Sequence, residues 1–167
     1  GWIDLHDYAT RQACRPVVGE LVFEGALAAT PHPEILAALA SPRLRAVLVG
    51  PGNPFSSIEP ILAIPGMRAA IAECAAPIIA VSPLVGRRTE ATPTARMMRD
   101  LGLTPSAASF ARRYAHMLDA VMLDPEDAAE AGALPIRAFS ARIALDTPAD
   151  RAALAGAALT AADILMR

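Results

Sequence analysis

Lysine is absent from this chain of 167 residues. All fifteen basic residues are arginine, against seventeen acidic ones, for a net charge of −2. A balance so close to neutral provides no basic face for a polyanion, so nucleic acid is not an expected partner. Aromatic residues make up only 4%, so the core has to be built from Ala, Leu, Ile, Val and Met. No apolar run reaches the ~18 uninterrupted residues that a membrane-crossing helix requires, and no membrane association is expected. No signal peptide is expected either, because Asp4, His6 and Asp7 interrupt the N-terminus and no apolar stretch follows. The two cysteines, Cys14 and Cys74, lie in unrelated segments, which favours a reducing, cytoplasmic compartment over a disulfide. His6, His32 and His116 follow no ligand spacing, and no Ser/His/Asp set assembles from the sequence.

What is present is apolar: 54% of the residues are hydrophobic, enough for a single domain with a real core. Val17 to Phe23 predicts a strand with residues 17, 21 and 23 on one face. Pro33 opens a helix that runs to residue 40. Residues 46–50, 77–82 and 120–123 are continuous apolar runs, as in strands buried on both faces of a parallel sheet. Residues 135–139 predict a fourth strand. Between them, 58–63 and 67–74 predict short helices. Thr92-Pro93, Thr104-Pro105, Asp124-Pro125 and Thr147-Pro148 each pair a capping residue with a proline at the first helical position. Gly102 is expected to stop the first of these helices. In the second, Ala107, Ala111, Tyr114 and Leu118 form the buried stripe. The last helix, 148–166, is expected to bury Leu154, Ala158, Ala161 and Leu165. Strands alternating with helices give an α/β fold with a mostly parallel sheet and helices on both faces.

Two loops leave the predicted strands at the end where α/β sheets bind ligands. The first runs from Gly50 to Ser57. Its glycines let a backbone approach a ligand, and Asn53, Ser56 and Ser57 add neutral donors ahead of a helix N-terminus, which favours an anion. It is neither a Walker A loop nor Gly-x-Gly-x-x-Gly. Ser56-x-x-Glu59 also satisfies the capping-box pattern, which would account for both residues without a ligand. The second loop, Ser82 to Glu90, contains Gly86 and the pair Arg87 and Arg88, which are suited to a phosphate or to solvent. Asp119 and Asp124 flank a strand and are conceivable Mg²⁺ ligands, although Asp124 is also explained as an N-cap.

Gly50-Pro51-Gly52-Asn53-Pro54-Phe55-Ser56-Ser57-Ile58-Glu59-Pro60-Ile61-Leu62, continued by Pro65-Gly66-Met67-Arg68, resembles the signature of the 2-phospho-L-lactate transferase (CofD-like) family. Ala80-Val81-Ser82-Pro83-Leu84-Val85-Gly86 resembles that family's second motif. The resemblance covers essentially the whole chain. It implies a Rossmann-like fold and a role in making the deazaflavin coenzyme F420. The implied reaction moves a phospholactyl-type group, or its phosphoenolpyruvyl or phosphoglyceryl equivalent, from a guanosine diphosphate-activated donor to the hydroxyl of the deazaflavin Fo. GMP leaves and Mg²⁺ is required. The implied substrate and nucleotide contacts are Gly50, Gly52, Asn53, Pro54, Ser56, Ser57, Ser82, Pro83, Val85, Gly86 and Arg87. A homodimer is the expected assembly.

The sequence departs from the family pattern in places. Arg87 stands where a second glycine is usual, and Glu59 where a glycine is usual. The acidic residues expected to hold the metal belong to the family's N-terminal half and have no counterpart here. The chain is therefore expected to be a C-terminal portion with an incomplete site and no metal ligands of its own. Two other readings share part of the pattern: a nucleotide-sugar-binding regulator of the gluconeogenesis-factor type, and an inactive half-domain.

Overall fold

The computed structural model describes the backbone of residues 1–167 and every side chain except those of Arg87, Arg88 and Ala91. Four strands, β1 (Val47–Val49), β2 (Ile78–Val81), β3 (Ala120–Leu123) and β4 (Arg137–Ser140), form one sheet in the order β1-β2-β3-β4. Every pairing is parallel, with Val49 beside Ala80, Val81 beside Met122, and Met122 beside Phe139. This is an α/β, Rossmann-like fold. β2 and β3 are buried along their whole length, because both faces of the sheet are covered.

The side-chain alternation of a strand divides the core into two layers. Ile78, Ala80, Val121 and Leu123 pack on one face against α3 (Glu59–Leu62) and α6 (Ala107–Tyr114), through Ile58, Leu62, Phe110 and Tyr114. Ile79, Val81, Ala120 and Met122 pack on the other face against α7 (Pro148–Leu165), through Leu154, Ala161 and Ala162. Of the four residues expected inward on α7, Leu154, Ala158 and Ala161 are buried and Leu165 is half-buried. A third cluster lies beside the sheet. It joins Phe55, Leu84, and Met97 and Met98 of α5 (Pro93–Asp100) to Tyr8, Cys14 and Val18 of the N-terminal segment.

Several caps match the sequence patterns. Thr92 accepts from the Ala95 N–H, and Thr147 forms a reciprocal capping box with Asp150. Gly102 stops α5 as expected, its N–H donating to Arg99 while the Leu103 N–H reaches Met98. Asp124 caps Pro125–Ala133, which coils as a 3₁₀ helix.

Three expectations are corrected. Residues 17–23 form no strand. Val17 is 79% exposed while Val18 is buried, the reverse of the expected face. The Val18 N–H donates to the Asp100 carboxylate rather than to a neighbouring strand. α6 starts two residues after Thr104-Pro105, because the Ser106 hydroxyl accepts from the Ser109 N–H and takes the cap. β1 is an edge strand rather than a central one: β2 is its single neighbour among the described residues, and Leu48 is 45% exposed.

Candidate ligand-binding site

β1 runs into the first loop, which coils at Pro54–Ile58 into a π-helical turn and then into α3. π turns are uncommon and gather at functional sites. Here Asn53 is the cap: its side-chain oxygen accepts from the Phe55 N–H at 3.0 Å, and its carbonyl accepts from the N–H groups of Ser56 and Ser57. Its amide nitrogen rests 3.2 Å from the Met97 sulfur, which docks the loop on α5. The Gly52 N–H donates to Gly50. Four amides of the loop are thus bonded within it, and little remains for a backbone anion cradle. Gly52 lies against Ser57, and a methyl group there would stand 2.9 Å from the Ser57 Oγ. Pro54 is fully buried, Ser56 donates weakly to the Asn53 carbonyl, and Ser57 is exposed.

The capping box expected between Ser56 and Glu59 does not form. Asn53 takes the capping role, and the Glu59 side chain turns inward, where it is 9% exposed. Arg68 of α4 (Met67–Ala72) donates to its Oε2 at 3.0 Å. The Arg113 Nε and the Tyr114 hydroxyl, both on α6, donate to Oε1 at 2.9 Å each. The Arg113 guanidinium also stands 5.6 Å over the Phe55 ring. Burial, reinforced by the neighbouring carboxylate, pushes the Tyr114 phenol above its ordinary value. Burial opposes the Arg113 charge, but the Glu59 carboxylate and Tyr114 together hold the guanidinium above its ordinary value. One indirect signal of this cluster is legible in the sequence: a tyrosine on the buried stripe of a helix needs a partner for its hydroxyl.

The second loop leaves β2. The Ser82 side chain is fully buried, and its hydroxyl exchanges hydrogen bonds with the backbone of Leu84. Pro83 and Val85 are half-buried, and Val85 packs on the α7 side of the sheet. The Gly86 N–H donates to both carboxylate oxygens of Asp127 at 3.0 Å. Gly86 has φ +45°, and a methyl group there would run into the Glu126 side chain, so the position requires glycine. The Arg87 side chain lies outside the described residues.

Phe55 of the first loop and Leu84 of the second, each 1% exposed, belong to one cluster with Met97 of α5. A groove of about 530 Å³ opens from the first loop along the edge of β1. Its walls are Leu48, Val49, Ile61, Ile71, Met117 and Leu145, and Ser57 stands with Gly50 and Gly52 where the loop lines it. A smaller hollow of about 350 Å³ lies between Gly19, Leu21, Phe23, Phe55 and Arg113.

Among the described residues, no group of three His, Cys, Asp or Glu is placed to hold a metal ion. The Asp124 oxygens accept from the N–H groups of Glu126 and Ile143, and those of Asp127 from Gly86. Asp119 accepts from the Ile78 N–H. These carboxylates are committed to backbone, and the set does not fit Mg²⁺. His32 caps α2 (Pro33–Leu39), while His6 and His116 are exposed. Both cysteines are free. No helix among the described residues is long and apolar enough to cross a membrane.

An all-parallel sheet whose first two strands end in loops packed on a common helix defines an α/β protein with its candidate site at the carboxyl ends of its strands. The model of the family described as 2-phospho-L-lactate transferase CofD matches residues 2–164. The chain belongs to that family. It is 33% identical over 132 residues to the 2-phospho-L-lactate transferase of Methanopyrus kandleri, across 76% of this chain and 41% of that protein. It is 35% identical over 128 residues to the phosphoenolpyruvate transferase of Streptomyces griseus, across 76% of this chain and 37% of that protein. The chain spans about two fifths of the length of these curated relatives.

Proposed function

We propose that this chain contributes two substrate loops to a phospholactyl-type transferase of coenzyme F420 synthesis. In this reading an Fo hydroxyl attacks the phosphorus that carries the three-carbon acid. The new O–P bond forms as the bond to the GMP oxygen breaks, and the hydroxyl proton is lost. Positioning and charge neutralisation carry most of such a reaction, which suits loops without an activated nucleophile. The relatives named for phospholactate and for phosphoenolpyruvate leave the three-carbon group open between these acids.

The observation that carries the reading is the joining of both motif loops through Phe55 and Leu84 beside a largely apolar groove. The groove suits a flat ring system such as a deazaflavin, with the Ser57 hydroxyl set to meet a polar substituent. Phosphate contacts would come from the second loop and from residues beyond those described. The magnesium ion of this reading would likewise need ligands from outside the described set, so no step is assigned to it.

The test uses the full-length protein that contains this chain. Incubation with Fo, a guanosine diphosphate-activated phospholactate or phosphoenolpyruvate, and Mg²⁺ is expected to release GMP and add the three-carbon phosphate mass to Fo. Binding of a uridine diphosphate sugar without GMP release would overturn the reading in favour of a nucleotide-sugar-binding regulator. Ser57→Ala is expected to weaken Fo binding at least about fivefold while the melting temperature stays within ~2 °C, since an exposed hydroxyl contributes little to stability.

A further inference from the structure

Glu59 is a buried carboxylate for which the proposed reaction has no use. Its backbone N–H donates to the Pro54 carbonyl and closes the π-helical turn. Its side chain gathers three donors from two other helices: Arg68 on α4, and Arg113 and Tyr114 on α6. Arg113 then reaches back over the ring of Phe55, inside the same turn. The turn is therefore gripped twice, at its end through the Glu59 carboxylate and in its middle through Phe55. Ser57 lies between these two points, exposed on the groove. A π turn has poorer hydrogen-bond continuity than an α-helix, and this one is followed by only four helical residues before the chain turns again. Local bonding is thus a weak restraint on where Ser57 points.

We infer that Glu59 is a positioning residue for the first loop: by tying the π turn to α4 and α6, it holds Ser57 and Gly52 in a ligand-competent arrangement. The inference rests on the reading of the first loop as a ligand site. Both arginine side chains are about two-fifths exposed, at 45% and 39%, whereas the Glu59 side chain is 11% exposed. Removing the carboxylate charge leaves guanidiniums that water can solvate. The damage should then be local to the loop rather than spread through the fold.

The experiment compares full-length wild type with Glu59→Gln and Arg68→Gln. Glu59→Gln keeps the side-chain volume and the backbone bond to Pro54 but removes the charge. Arg68→Gln removes the strut to α4, together with the 3.5 Å contact of Arg68 to the exposed His116 ring, and leaves both donors on Oε1, so it stays informative if the first variant does not fold. Two quantities are read: hydrogen exchange of the amides of residues 52–59, and Fo affinity by fluorescence titration. In Glu59→Gln the loop amides are expected to exchange about tenfold faster while those of β2 and β3 keep their protection. The Fo dissociation constant should rise about tenfold, as for a competent state whose population falls to a tenth. Arg68→Gln should shift both in the same direction and less. Unchanged loop exchange, acceleration shared equally by β2 and β3, or unchanged Fo affinity would each overturn the inference. A wild type that binds no Fo overturns the proposed function instead, and the exchange pattern then decides alone whether Glu59 braces the turn.

Discussion

The two motif loops leave neighbouring parallel strands, yet they are built in opposite ways. The second loop is closed by its own turn at Ser82 and by one carboxylate from the segment after β3. Ser82 is buried and bonded to Leu84, and Gly86 is clamped by Asp127. The first loop leaves an edge strand, coils into a π turn, and relies on side chains from α4, α5 and α6 for its position. It is the one that presents an exposed hydroxyl to a groove. A loop whose buried hydroxyl and glycine amide are both already taken forms a fixed wall. A loop satisfied by distant partners can leave groups free for a ligand, but its geometry then depends on those partners.

Truncations at the shared cluster separate the two most strongly. Phe55→Ala and Leu84→Ala are each expected to cost about 3–5 kcal/mol in denaturant unfolding, since both side chains are 1% exposed. The comparison sharpens if Phe55→Ala also abolishes Fo binding while Leu84→Ala leaves it measurable at low temperature. Gly86→Ala comes next, at about 2–3 kcal/mol, because it combines a left-handed backbone with a clash on Glu126. The equivalent Gly50→Ala should cost less than ~1 kcal/mol, as open space surrounds its Cα. Equal losses at the two glycines would break the contrast. Asn53→Ala removes the cap of the π turn and its contact with Met97, and is expected to cost about 1 kcal/mol.

A further effect of similar size is a pH dependence. The Tyr114 phenol is held above its ordinary value in the folded chain, whereas in the unfolded chain it ionises near ~10. The stability this group contributes is therefore fully present below that pH and is lost as the pH climbs through it. Tyr114→Phe should flatten the alkaline limb of the stability curve and cost about 0.5–1.5 kcal/mol at neutral pH through the lost bond to Glu59.

The parts of the fold legible in the sequence are those that local chemistry decides. β2 and β3 are continuous apolar runs because both their faces are covered, and Thr92 and Thr147 cap where a threonine precedes proline. What escaped depends on partners distant in the chain. Residues 17–23 alternate like a strand, but among the described residues they join no sheet. β1 has a central strand's composition and an edge strand's position. Ser56 and Glu59 have the spacing of a capping box, yet Arg113 and Tyr114, more than fifty residues further on, draw the carboxylate away. Of the candidate site, the loops were legible and their bracing was not. Asn53 illustrates the difference, since its amide is largely occupied in shaping its own loop.

The order of the strands in space is also their order in the chain. As the polypeptide emerges from the ribosome, β2 finds β1 already formed beside it, then β3 finds β2, and β4 finds β3. No strand has to wait for a later one in order to be inserted between neighbours. Among these four strands, each can therefore add to its neighbour in the order of synthesis, and the synthesis of this part of the chain in time is recorded as a direction across the sheet.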